Sequence, residues 1–139
     1  MYRRIIIIEN VRSVYNVGNI IRTADALGYD VILSGYTPCD DRVQKTALGA
    51  QHTVNILKFW NTLDALQYCR QEQCFLVAGE LTKQSLPLGY ITSDQYGIGD
   101  QSFALIVGNE VTGVLQETLQ YVDLTVHIPM SGNKESLNV

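Results

Sequence analysis

The stretch "RIIIIENVRSVYNVGNIIRTADALGYDVIL", residues 4 to 33, decides the fold. It opens on a short apolar, β-branched run over residues 4–8 and closes on another over 30–33, both of strand character. Between them the apolar residues return at helical spacing. From a helix start near Asn16, a step of about 100° per residue gathers Val17, Ile20, Ile21, Ala24 and Leu27 on one face. Asn16, Asn19 and Thr23 then line one margin, Arg22 projects from the polar side, and Gly28 is placed to end the helix in the left-handed conformation. A strand, a helix and a second strand in so short a span predict a parallel pair joined by a crossover helix.

The alternation continues outward. Residues 54–57, 75–78, 103–107 and 124–128 read as further buried strands, and 41–48, 62–73 and 111–121 as helices. The expected architecture is α/β, a mostly parallel sheet with helices on both faces, formed as a single domain over residues 1–139. Pro38, Pro87 and Pro129 fall at edges of these elements, and residues 81–101 are expected to form a loop with short turns.

A net charge of −4 and a sequence pI near 5.0 argue against a chain that holds nucleic acid by bulk attraction. Arg3, Arg4, Arg12 and Arg22 nevertheless fall close together, as a local basic face or simply as solvated side chains. The run Ile5 to Ile8 is far shorter than the ~20 residues needed to span a bilayer, and "MYRR" is not followed by a secretory apolar segment. Cys39, Cys69 and Cys74 form no C-x-x-C pair and are odd in number, which suits a reducing compartment and packing roles. A cytoplasmic protein without membrane or metal partner is expected.

In such folds ligands sit beyond the carboxyl ends of the strands, which directs attention to three segments. In the first, capping alone accounts for Asn16, and an exposed Arg22 needs no function. In the second, "FALIVGNEVTGV" at 103–114, the strand runs into Gly108, whose missing side chain lets backbone approach a ligand. Glu110 is read there at a helix start, and Gly113 in the first turn costs about 1 kcal/mol relative to alanine, which points to close packing. The pattern is neither a spaced-glycine dinucleotide fingerprint nor a phosphate loop, since it lacks the lysine. In the third, "VHIPMSGNKESLNV" at 126–139, Pro129 ends the ladder and Gly132 permits a turn. Ser131 and Glu135 read as a helix cap and a first-turn acid, while Ser136 and Asn138 present a hydroxyl and an amide beside Leu137.

Taken in order, the segments resemble the three motifs of the SpoU branch of the SPOUT superfamily, the S-adenosylmethionine-dependent RNA ribose 2′-O-methyltransferases. N-x-G-x-x-x-R is matched by Asn16, Gly18 and Arg22, and G-x-E-x-x-G by Gly108, Glu110 and Gly113. I-P-M followed by S-L-N-V is matched by Ile128, Pro129 and Met130 with Ser136, Leu137, Asn138 and Val139. The resemblance implies a C-terminal trefoil knot, a homodimer, S-adenosyl-L-methionine as cofactor, tRNA or rRNA as substrate, and no metal. It implies a cofactor cradled largely by backbone at Ala78, Gly79, Gly108, Ile128, Pro129, Met130 and Leu137, with Glu80 beside them. It assigns Arg22 to the reactive ribose or its phosphate, and Asn16, Glu110, Ser136 and Asn138 to shaping the pocket. Because a guanidinium stays protonated near neutral pH, Arg22 is read as a phosphate clamp, with proton loss helped by that phosphate or by Ser136.

The chain departs from the family pattern in places. "TALGA" sets Ala47 where a serine often precedes the glycine, so one polar RNA contact is expected to be missing. His127 is read as a packed histidine. No separate RNA-binding domain is expected before "MYRRIIII", which leaves substrate choice to the dimer or a partner, and the family's C-terminal helix is expected to be lacking after Val139. The alternative reading is a catalytically inactive RNA- or cofactor-binding module of the same fold; the intact Arg22, Glu110, Ser136 and Asn138 favour the enzyme.

Overall fold

The computed structural model describes residues 2–39, 47–50, 53–90, 96 and 98–132. Its strands are β1 (Arg4–Glu9), β2 (Asp30–Ser34), β3 (Ile56–Phe59), β4 (Phe75–Gly79), β5 (Leu86–Pro87), β6 (Phe103–Val107) and β7 (Leu124–His127). They form one sheet in the order β3-β2-β1-β6-β4-β7-β5, and every pairing is parallel. Helices α1 (Val14–Leu27), α2 (Thr62–Gln71) and α3 (Gln116–Tyr121) complete the described regular structure with 3₁₀ turns at Leu88–Tyr90 and Ile98–Asp100.

Alternation in β1 shows how the sheet acquires two cores. Ile5 and Ile7 join Ile32, Leu66, Cys69, Leu76 and Ile106 under α2, whereas Ile8 joins Val17, Ile21, Val31 and Leu33 under α1. A strand whose successive side chains both find apolar partners must be covered on both faces, so its sequence is continuously apolar.

Element ends differ from the expected ones for local reasons. The first helix begins at Val14 and not near Asn16, because Ser13 is the cap: its side chain accepts the Asn16 N–H. Its end at Gly28, with φ of 73°, is as expected, although Leu27 is exposed and not part of the core face. The third strand starts at Ile56, since Val54 is held in a turn by its N–H bond to Ala50 O. The helix expected over 111–121 is only Gln116–Tyr121, because residues 109–113 close on themselves as a tight loop. The segment expected as irregular contains β5. Of the helix expected over 41–48, only Ala47 and Leu48 lie within the described residues. Cys69 and Cys74 are buried, but Cys39 is exposed and packs nothing into the core.

The placement of β7 matters most for function. Gly79 at the end of β4 and Leu86 at the start of β5 are both register partners of Val126, on opposite sides of β7. Strands flanking a third lie about 9–10 Å apart, a distance that residues 80–85 span directly. They therefore form a bridge across the carboxyl end of β7. The expected trefoil knot involves the chain beyond β7, and residues 133–139 lie outside the described residues.

Candidate functional site

The carboxyl ends of β1, β4 and β6 each carry a glutamate, and all three shape one loop, residues 108–115. Glu9, fully buried, accepts from Leu115 N–H at 2.8 Å and from Thr118 Oγ1 at 2.6 Å. Glu80 accepts from Val114 N–H at 2.9 Å and from Leu81 N–H at 3.1 Å. Glu110, within the loop, reaches outward: its carboxylate accepts from the N–H groups of Arg12 at 3.3 Å and Ser13 at 3.1 Å, and from the Asn16 side chain. Burial pushes the Glu110 carboxyl pKa up, but these bonds and its own backbone N–H outweigh burial and hold it below the ordinary value. Glu110 thus caps the start of α1, not a helix of its own as its sequence position suggested.

Asn109 makes the loop rigid. Its Nδ2 donates to Asn10 O and Tyr36 Oη, both at 2.8 Å, while its Oδ1 accepts from Val111 N–H and Thr112 N–H at 2.8 and 2.9 Å. Reciprocal backbone bonds to Gly113 at 3.2 and 3.0 Å close the loop. Gly113 has φ of 74°, and a side chain there would collide with the Glu80 carboxylate. At Gly108 a Cβ would stand 2.5 Å from the backbone of Gly113 and Val114. A close approach at Gly108 is thus made by the chain's own backbone at 113–114, on the side where a Cβ would stand.

Of the expected site residues, Asn16 and Glu110 meet directly. Arg22 is exposed, and its Nη1 donates to Asn19 Oδ1 at 3.3 Å. It stands six residues beyond Asn16, roughly 9 Å along the helix at about 1.5 Å per residue, so it borders the Glu110 contact without joining it. There it borders a cavity of about 400 Å³ lined also by Asp25, Leu48, Gly49 and Thr53. Ala78 and Gly79 end β4, and Ile128, Pro129 and Met130 follow β7, so these five adjoin the 80–85 bridge. Ser136, Leu137 and Asn138 lie outside the described residues.

Around that bridge Leu81, Leu86, Leu88 and Ile128 are exposed. Apolar side chains beside strand-end backbone groups fit an adenosyl group, whose ring takes apolar contact on its faces and hydrogen bonds on its edge. The bridge is itself tied to β7. Glu80 N–H donates to Val126 O at 2.9 Å, and Ser85 Oγ lies 2.8 Å from His127 Nδ1. Ser85 Oγ also accepts from Thr82 N–H and donates to Thr82 O. A hydroxyl has one proton, so all three bonds form only if His127 Nδ1 is the donor to Ser85. His127 is half-buried, and this bond is what its packing serves.

Sequence reasoning passed over Glu9, Asn109 and Ser85. A charged residue ending an apolar run was the available signal for Glu9, and an asparagine between glycine and glutamate for Asn109.

With this geometry in place, comparison with known proteins is decisive. The model of the SpoU rRNA Methylase family matches residues 3–139. The chain belongs to that family. A relative in Bacillus subtilis, 23S rRNA (guanosine(2553)-2′-O)-methyltransferase RlmP, is 31% identical over 99% of this chain and 53% of its own length. The Neisseria meningitidis 23S rRNA (guanosine-2′-O-)-methyltransferase RlmB is 28% identical over 97% of this chain and 52% of its own. This SpoU-family chain thus spans about half the length of these curated relatives. Among solved structures, an AdoMet-bound rRNA methyltransferase from Sinorhizobium meliloti superposes with a TM-score of 0.86 at 28% identity, over 98% of this chain and 51% of that one. The TrmH/SpoU tRNA modifying enzyme of A. aeolicus gives 0.83 at 27% identity, over 100% of this chain and 68% of that one. The α/β fold with its parallel seven-stranded sheet is the fold of these SpoU-family enzymes. Among the described residues no helix is long and apolar enough to cross a membrane, and no cluster of metal-ligating side chains occurs.

Proposed function

We propose that this chain carries the catalytic machinery of an S-adenosylmethionine-dependent RNA methyltransferase acting on a ribose 2′-hydroxyl of tRNA or rRNA. The observation that carries the reading is the junction of the first two motifs, in which the Glu110 carboxylate binds the N–H groups of Arg12 and Ser13 and the side chain of Asn16. Family membership and the AdoMet-bound relative support the cofactor. When bound, the cofactor supplies an electrophilic methyl on a sulfonium. That methyl would pass to the ribose oxygen with its electron pair left on sulfur, and the hydroxyl proton would go to the neighbouring RNA phosphate or, by its motif, to Ser136.

The residues divide this work. Ala78, Gly79, Gly108, Ile128, Pro129 and Met130 would bound the cofactor's side of the site, Gly108 by letting the 113–114 backbone close in. The Glu110 junction fixes α1 against that loop, so the RNA-facing and cofactor-facing parts keep one separation, which in-line displacement requires. Arg22, exposed and in no ion pair among the described residues, suits a phosphate of the RNA. Leu137, Ser136 and Asn138 are assigned to cofactor and transfer by their motif alone. A homodimer is the proposed working form. In support, an apolar groove of about 310 Å³ lined by Ile6, Ile20, Leu27, Tyr29, Leu105 and Val107 lies between α1 and the sheet. Sedimentation gives its mass directly.

Incubation with methyl-labelled S-adenosylmethionine and total cellular RNA tests the activity. Arg22→Ala is expected to abolish methyl transfer to RNA while cofactor affinity by calorimetry stays within about twofold; a large loss of that affinity would overturn the RNA-side assignment. No transfer by the unaltered chain, with cofactor or RNA still bound, would favour an inactive binding module.

A further inference from the structure

The carboxyl ends of β1, β2 and β3 continue past the Glu110 junction into a strip of rings and cations that no step above uses. Trp60, the residue after β3 and the single tryptophan of the chain, is 81% exposed. Lys58 Nζ stands 4.6 Å from the centroid of its ring. The ammonium is held there by bonds to Gly35 O at 2.6 Å and Thr37 O at 2.8 Å. Between those two carbonyls Tyr36 projects, 54% exposed, with the Arg12 guanidinium 5.8 Å from its ring centroid. Tyr36 Oη accepts from Asn109 Nδ2, and Tyr36 N–H donates to Asn10 Oδ1 at 3.1 Å. The strip therefore runs without interruption from Trp60 through Lys58, Tyr36 and Arg12 into the residue next to Ser13.

Two large rings are left in water, each with a cation near it and one of those cations held by backbone carbonyls, an arrangement that offers ring faces for stacking. A planar base takes apolar contact from a ring, while the phosphates beside it take charge from lysine and arginine. Lysine is depleted from the cores of protein interfaces, which speaks against a protein partner at this place. Paired bases have their faces covered, so the fitting ligand is single-stranded.

We propose that Trp60 and Tyr36, with Lys58 and Arg12, form a stacking platform for unpaired nucleotides that flank the ribose to be methylated. The proposal rests on the reading of the chain as an RNA methyltransferase, and its test separates the two. The protein is titrated with a single-stranded RNA 12-mer and, separately, with an abasic ribose-phosphate chain of the same length, while Trp60 fluorescence is followed. The 12-mer is expected to quench the fluorescence and the abasic chain to leave it nearly unchanged. Trp60→Ala and Tyr36→Ala are each expected to weaken 12-mer binding, followed by anisotropy of a labelled strand, by about tenfold, with Trp60→Phe restoring most of it. Cofactor affinity is expected to stay constant in Trp60→Ala and Trp60→Phe.

Equal quenching by the abasic chain, or full 12-mer affinity in Trp60→Ala, would overturn the platform. So would a change of oligomeric state in Trp60→Ala with RNA binding intact, which would make the strip a protein interface. Quenching and weakened variants without methyl transfer to any RNA would uphold the platform and defeat the activity; undiminished transfer in both alanine variants would do the reverse.

Discussion

Where the strands begin, Arg3 bonds to Asp30 and Glu72 and Arg70 bonds to Asp123; where they end, Glu9, Glu80 and Glu110 bond to backbone N–H groups. At the first edge charges neutralise one another. The Arg3 guanidinium, bonded to Tyr68 and Asp30, and the Arg70 guanidinium, bonded to Asp123, are held more firmly protonated than ordinary arginines. The arginines that resembled a basic group in the sequence thus separate, since Arg3 is engaged in structural ion pairs. At the second edge the acids are satisfied by peptide dipoles, and Arg12 there, like Arg22 farther along α1, enters no ion pair among the described residues. An acidic chain can in this way offer positive charge to a phosphate at one edge. Its net charge of −4 conceals the division.

Substitutions at the two edges test the contrast. Gly108→Val is expected to have the largest effect, at least about 2 kcal/mol of stability in urea unfolding, since its side chain must enter backbone 2.5 Å away. Intact stability with cofactor affinity lost would instead mean that the space belongs to the ligand. Glu9→Gln keeps the shape but loses the charge on two donors, and is expected to lower stability by about 1–3 kcal/mol in the same assay, with methyl transfer falling as the loop loosens.

Titration reads both edges together. Burial raises the carboxyl pKa of Glu110 and Asp123, but hydrogen bonds outweigh it, and both lie below their ordinary values of 4.5 and 3.8. The unfolded chain binds these protons more readily than the folded one. Their stabilisation is therefore complete above about pH 5 and is lost as pH falls below the ordinary values. Replacing Glu110 by glutamine is expected to flatten that fall in thermal unfolding between about pH 5 and 3. Asp123→Asn, whose amide oxygen can still accept the Leu76 N–H, is expected to have the smallest effect, about 1 kcal/mol or less and reduced further by salt, with methyl transfer unchanged. A strong dependence of activity on Asp123 would erase the difference between the edges.

Much of this was legible in the residues. The β1-α1-β2 unit followed from apolar spacing; the start of α1 moved by a turn or less, to where Ser13 caps it, while α2 begins at Thr62 as expected, under the Asn61 cap, and ends at Gln71. The motif residues Asn16, Arg22 and Glu110 could be named, but not the geometry among them. Nothing local shows that Glu110 reaches back to Ser13, that Ser85 on the bridge meets His127, or that the backbone at Gly113 packs against Gly108.

The sequence by itself determined most of the strands and helices, though not β5 or the loop at 109–113, that the sheet would be mostly parallel and covered on both faces, and the family to which the motifs belong. Periodicity and turn chemistry are properties of neighbouring residues, so a chain can be read for them one window at a time. Only the tertiary structure decided the strand order, the seating of β7 between β4 and β5, and the destinations of the three glutamates. Those choices depend on partners far away along the chain, as Leu115 N–H and Glu9 are, 106 residues apart, and are settled only when both faces of the sheet are filled at once.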